Sequence, residues 1–356
     1  MKLIYPDYLP QFLCLAGKCP DTCCKDWQII LDPDTLARYQ KLPGELGADI
    51  RAALITEDGQ TRFRLINSHC PLLDADGLCR IQRTLGLGGL CTTCRCHPRF
   101  IEEYGATREI SLSLSCPSAA ALILNREMPI AFLTETTAEQ VSEYNELDPQ
   151  LYLALVSIRE RLFSILHARD LSLNERLSLC LLLCIRAQRL LDEGRYDALM
   201  TLQDRFSSSA QCQRPLARVR RLLRRPADFF PCWMVLNNME HLTQEFSVHL
   251  ERLSTGIPCG SLSAMQEENL AVYFLFRHIL KAVNDGELLS RMESCVFHVL
   301  CIRRLCRNAG SSCEQLRAAA LYSKEVEHSE DNCAMLRRVF RRGALRPGQM
   351  IQMLSG

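Results

Sequence analysis

The sequence predicts a mainly α protein. A small, mixed, loop-rich and cysteine-rich N-terminal domain with a few short strands (residues 1–125) is followed by a helical domain (residues 135–356). Three observations predict this. Beyond the first third, apolar residues recur every three or four positions, as in Leu151, Leu155, Ile158, Leu162 and Ile165. Before that point Gly, Pro and Asp interrupt every apolar run. The twenty cysteines also divide: the set from Cys14 to Cys116 is grouped among turn residues, and the set from Cys180 to Cys333 is scattered through helical patterns.

Each element can be placed in order. WQIIL, Trp27 to Leu31, puts Trp27, Ile29 and Leu31 on one side and reads as a strand. Asp34 to Gln40 reads as a short helix. GLGG, Gly86 to Gly89, follows no strand and precedes no Lys-Ser or Lys-Thr, so it reads as a turn and not a phosphate loop. EISLSLS, Glu109 to Ser115, alternates with a period of two and reads as a strand. A helix is expected from Asn174, as its cap, to Asp192, with Gly194 as its stop. Further helices are expected over 232–253, 266–284, 287–308, 313–327 and 330–341. Gly256, Gly286, Gly310 and Gly343 fall near their ends, and Ser329 caps the last. No repeat period and no βαβ fingerprint stands out.

The 356 residues are 47% apolar and 23% charged, an ordinary globular balance. A net charge of +1 argues against a whole-chain grip on nucleic acid. No run approaches a membrane span, and the opening MKLIYPDYLPQF is broken by Pro6, Asp7 and Pro10, so a cytoplasmic location is expected. There, structural disulfides are rare and clustered thiols point to metal or redox chemistry. RPLARVRRLLRRP, Arg214 to Pro226, is basic and amphipathic. It reads as a solvated helix face, with a peripheral contact to anionic lipid or an acidic partner as the alternative.

The N-terminal thiols carry the chemistry. Cys19-x3-Cys23 and Cys91-x2-Cys94 are spaced so that a tight turn lets two sulfurs face one site, which suits both structural zinc and iron–sulfur clusters. Cys23 and Cys24 are adjacent, so their side chains diverge on a strand or a helix alike; either one of them serves another site or the turn that carries them is unusual. His69 and His97 flank the thiols as second-shell or surface residues. Arg99, Glu102, Glu103 and Tyr104 follow them in sequence and are placed to approach the centre. A metal or iron–sulfur centre, a redox disulfide and inert buried thiols are the alternatives, and spacing does not choose between iron and zinc. The scattered thiols, such as Cys180, Cys184, Cys301 and Cys306, read as small core hydrophobes.

The ordered blocks F-x-C-x4-C-x3-C-C-x2-W, CPLL-x4-GLC, C-x3-PR and SLSLSCP, from Phe12 to Pro117, resemble the bacterial flagellin lysine-N-methylases with their CxxxCC cysteine-rich domain. The stretch YSKEVEHSEDN, Tyr322 to Asn332, is similar too. The resemblance picks out Cys14, Cys19, Cys23, Cys24, Cys70, Cys79, Cys94 and Cys116 as metal ligands, and leaves Cys91 and Cys96 as additions of this chain. It implies methyl transfer from S-adenosylmethionine to lysines of flagellin, with a 4Fe–4S cluster (zinc as the alternative). The chain departs from the radical S-adenosylmethionine signature C-x3-C-x2-C, because Asp26 stands three residues after Cys23. That superfamily's barrel fold is therefore not carried over. Two other function classes stay open at this point: a zinc- or iron-binding module without methylase activity, and an iron–sulfur redox protein.

Overall fold

Asp32 opens the first helix by accepting the Thr35 amide at 2.9 Å, and Pro33 fits the first turn because it has no amide to leave unbonded. In the computed structural model, which describes all residues except 28, 140–146, 203–205, 207–208 and 256–257, this helix is α1 (Pro33–Lys41), as expected. The N-terminal region further holds strand β1 (Lys2–Pro6), helix α2 (Gly44–Ala52), strands β2 (Leu54–Glu57) and β3 (Gln60–Phe63), and helices α3 (Arg80–Leu85) and α4 (Thr92–Cys96). Strands β4 (Arg99–Tyr104) and β5 (Thr107–Leu112), helix α5 (Pro117–Leu124) and strand β6 (Phe132–Thr136) complete it.

One four-stranded sheet runs β4-β5-β1-β6. β1 is parallel to β5, with Lys2 opposite Thr107, and antiparallel to β6, with Lys2 opposite Thr136. β4 and β5 are antiparallel neighbours, Arg99 opposite Leu112. β2 and β3 form a separate hairpin through Asp58 and Gly59, both at positive φ, 50° and 76°. This is the backbone that an Asp-Gly pair accepts most readily.

Two strand expectations are corrected. Trp27 to Leu31 is not a strand. Ile29 and Leu31 are buried and Ile30 is exposed, as alternation requires, but among the described residues the segment meets β3 through Leu31 N–H to Thr61 O and Phe63 N–H to Ile29 O alone. In EISLSLS the strand ends at Leu112, and Ser113–Ser115 form a turn into α5. Groups from the helical region hold that turn. The Leu114 amide donates to the Tyr273 hydroxyl at 3.0 Å, and both serine hydroxyls meet His328 Nε2.

The rest is helical: α6 (Pro149–Leu166), α7 (Leu173–Asp192), α8 (Tyr196–Leu202), α9 (Ser209–Leu223), α10 (Phe230–Asn237), α11 (Gln244–Thr255) and α12 (Ala264–His278). Then come α13 (Ala282–Asp285), α14 (Leu288–Cys306), α15 (Ser312–Glu327), α16 (Glu330–Arg341) and α17 (Pro347–Met353). α7 is capped by Ser172 in a capping box with Glu175, and not by Asn174. The helix expected over 232–253 is broken between α10 and α11. The freed amides of Glu240 and Leu242 are taken by Asn332 and Glu325, which removes the cost of the break. The helix expected over 266–284 tightens into a 3-10 turn at Ile279–Lys281. Ser329 caps α16 and Gly286 ends α13 at φ 71°, as expected; Gly256 lies outside the described residues. On α9, Arg214, Arg218 and Arg221 are exposed while Val219 is buried, the solvated face that was expected.

α12 and α14 are buried nearly all round and form the centre against α7, as helices apolar on every side must. Cys180, Cys184, Cys301 and Cys306 are all buried in this core. The sheet and α5 pack onto the same core through Tyr104, Leu112, Leu114 and Ile123. A second, separate core gathers Ile29, Leu31, Tyr39, Ile50, Phe63, Leu72, Ile81 and Leu90 with Cys70 and Cys91.

Candidate functional site

The second core positions the thiols. Residues 23–26 pair with 66–70: the Cys70 amide donates to Cys24 O at 2.7 Å and the Asp26 amide to Ser68 O at 2.8 Å. Cys70 and Cys79 lie on either side of a tight loop closed by Asp74, whose Oδ1 accepts the amides of Asp76 and Leu78. Arg83 clamps the loop by pairing with Asp74 and Asp76. Cys79, Cys91 and Cys116 are the N-cap residues of α3, α4 and α5. The amides at a helix start favour a thiolate, but at Cys79 and Cys116 burial outweighs them and raises both thiols.

Two adjoining cavities result. The inner one, about 350 Å³, is walled by Tyr39, Phe63, Ile81 and Leu90 and takes Cys23, Cys24, Cys70, Cys79, Cys91, Cys94 and Cys96 into its lining. The outer one, about 510 Å³, is lined by Cys14, Cys19, Cys23, Cys24, Cys79, Cys94 and Cys116. All eight thiols selected from the sequence thus line one cavity or the other, and every cysteine of the chain is a free thiol. Cys91 and Cys96 join the inner cavity. His97 lines both cavities, while His69 is exposed and hydrogen-bonded to Asn67 O.

The thiols fall into proton-sharing pairs. A hydrogen bond from Cys23 pulls Cys24 down to about 7, and one from Cys94 pulls Cys91 down to about 7. Their partners Cys23 and Cys94 are held above the ordinary thiol range by the same bonds. In each pair the hydrogen bond favours the thiolate on one sulfur, the form that binds metal, and the thiol on the other. Burial pushes Cys70 up to about 12. Among the described residues no three His, Cys, Asp or Glu side chains converge to hold a metal ion in this arrangement. The fit to a thiolate-bound centre rests on donor chemistry: eight thiols carried on short turns around joined cavities.

The helical region supplies two further groups. Lys324, on α15, reaches the outer cavity and pairs with Asp26 at 2.9 Å and with Asp21 at 3.5 Å. His328, just past α15, lines the inner cavity, bonded to Ser113 and Ser115 at 2.8 and 2.9 Å and stacked on Phe100. Burial lowers His328 to about 4 and His97 to about 3, so both imidazoles are neutral at pH 7. Behind them, burial tends to raise the Glu327 carboxyl, but the Arg277 guanidinium at 3.3 Å holds it well below the usual carboxylate range. Trp27 stacks edge-on to His97 at 4.8 Å and donates from Nε1 to Cys23 O at 2.7 Å.

Of the residues expected to approach from β4, only Arg99 does, lining both cavities. Glu102 pairs with Lys281, Glu103 with Arg108, and Tyr104 is buried against Tyr152. Sequence reasoning gave Lys324 and His328 no role at the thiols. Their one signal was the YSKEVEHSEDN stretch, noticed without a partner to attach it to.

Comparison with known proteins supplies the family. The chain is 33% identical over 156 residues to the "Lysine-N-methylase" of Salmonella typhimurium (strain LT2), a match covering 40% of this chain and 38% of that protein. The "Lysine-N-methylase" of Salmonella choleraesuis gives the same figures. The chain thus matches about two-fifths of the length of these relatives. It is 36% identical over 132 residues to the "Flagellar biosynthetic protein FliU" of Salmonella muenchen, covering 34% of this chain and 75% of that one. No family profile and no solved structure matches. With three-quarters of FliU matched at this identity and the ordered cysteine blocks assembled around one pair of cavities, the chain belongs to the flagellin lysine-methylase family.

Proposed function

We propose that the protein is an S-adenosylmethionine-dependent lysine N-methyltransferase acting on flagellin and carrying an iron–sulfur centre in its cysteine-rich lobe. The observation that carries this reading is the meeting of relatives named lysine-N-methylase with a thiol-lined pair of cavities in the region of the shared motifs. Cys14, Cys19, Cys23, Cys24, Cys70, Cys79, Cys94 and Cys116 are the residues to hold the centre. When bound, it would supply redox-active iron held by soft sulfur donors.

The chain's own groups suit the remaining demands. A lysine ammonium has no lone pair, so the substrate amine must lose its proton before it accepts a methyl group. Arg99 at the outer cavity lowers the pKa of a nearby lysine by charge repulsion, while the charge of Lys324 is taken up by Asp26 and Asp21. His97, lining the same cavity, is neutral at pH 7 and adds no charge to it, and its lowering to about 3 makes it a weak proton acceptor there. Leu13, Leu15 and Leu87 are exposed along its rim, which gives a protein segment an apolar seat.

The test is direct. Anaerobically purified protein, reconstituted with iron and sulfide, is incubated with methyl-labelled S-adenosylmethionine and flagellin. Label on flagellin lysines is expected, with Cys23→Ser abolishing both colour and transfer. Absence of transfer by iron-loaded protein overturns the reading.

A further inference from the structure

One cluster needs about four thiolates, and the lobe brings together twice that number. We infer that these thiols build two separate four-thiolate centres: an enclosed one on Cys24, Cys70, Cys79 and Cys94, and an open one on Cys14, Cys19, Cys23 and Cys116. The inference deepens the iron–sulfur reading above and rests on it for the nature of the occupant.

Placement argues for the division. Cys70 lines only the inner cavity, and Cys14, Cys19 and Cys116 line only the outer one. Mutual proximity sorts the other four. Cys70 and Cys79 lie near Cys24, and Cys23, besides its hydrogen-bonded neighbour Cys24, lies near Cys14 and Cys116. Cys94 sits on the boundary, near Cys24 and Cys23, and its hydrogen-bonded neighbour Cys91 belongs to the inner wall. Cys91 is thus a reserve donor beside the enclosed set.

Chain geometry explains the adjacent pair. Cys23 and Cys24 sit together on a turn and line both cavities, so each is placed to join a different centre. The Cys23–Cys24 peptide then becomes the shared wall. The surroundings also differ. The enclosed set is packed on the apolar second core, the environment of a closed structural centre, while the open set faces Lys324 and the exposed rim leucines.

Metal content decides the matter without any assay of methyl transfer. Protein reconstituted with iron and sulfide is analysed for iron, zinc and acid-labile sulfide and by Mössbauer spectroscopy, alongside Cys70→Ser, Cys116→Ser and the double variant. The wild type is expected to hold about eight iron atoms per chain, each single variant about half, and the double variant almost none. About four iron plus one zinc, with each single variant losing only one of the two metals, supports the same partition. A single centre in the wild type, lost in one or both single variants, overturns the partition and leaves the iron–sulfur reading standing. Wild-type protein that takes up neither metal overturns both. The wild-type count needs no variant to fold, and circular dichroism of each variant shows whether metal loss reflects a lost centre or a lost fold.

Discussion

Cys23 and Cys24 show how much a pair of letters carries. Their adjacency and the spacing of the other thiols were legible as a grouping of sulfurs, and the two cavities gather them, because short-range spacing survives folding unchanged. Lys324 and His328 were not legible in this way. They reach the thiols from some 300 residues away in sequence, and nothing local to a lysine or a histidine announces such a partner. Lys324 nevertheless ties α15 to the Cys23–Asp26 turn through a largely buried pair with Asp26. Replacing it, Lys324→Met, leaves that carboxylate short of its partner and is expected to cost on the order of 2–3 kcal/mol. Faster amide exchange in residues 22–27, with α7 and α14 unaffected, is the measurement that checks it. Cys180→Ser, by contrast, sits in the helical core and is expected to leave iron content unchanged.

Among the elements, the helices were the readable part. A period near 3.6 located α6, α7, α14, α15 and α16 within a few residues, because each buries a continuous apolar stripe. Breaks inside helices were hidden, since the side chains that relieve them, such as Asn332 and Glu325, lie on other helices. The sheet was mostly hidden as well. β1 and β6 are short and half-exposed, and pairing between residues 2 and 136 leaves no local pattern. One polar contact anchors the sheet to the bundle: Arg159 of α6 donates to Glu109 of β5 at 2.7 Å, with both side chains buried. Arg159→Met strands a buried carboxylate and is expected to lower stability by about 3–5 kcal/mol, read from the urea midpoint. The double variant Arg159→Met, Glu109→Leu is expected to recover most of that loss, because the orphaned charge goes with it.

At the scale of the whole molecule, the fold stores its imidazoles neutral. Burial lowers His278 and His328 to about 4, and His97 and His298 to about 3, against about 6.5 in the unfolded chain. A histidine with a lowered folded pKa contributes stability that is complete above the unfolded value and is lost as pH falls toward the folded one. Glu293, raised to about 8 by burial, and Glu325, raised for the same reason, work in the opposite sense, but four histidines outweigh two carboxyls between about pH 4.5 and 6.5. The urea midpoint is therefore expected to be lower at pH 5 than at pH 6.5, and His298→Phe is expected to flatten that dependence. An unchanged midpoint across this interval contradicts the assignment.

The parallel neighbour of β1 arrives a hundred residues after it, and its other flanking strand later still. During translation, therefore, the first strand waits unpaired on the nascent chain while the thiols from Cys14 to Cys96 emerge after it. Cys116 takes up its capping position only when β5 has docked, so a centre that includes Cys116 is finished late. Such a site closes only once β5 has docked, and until then its thiols stand open to solvent and oxidant.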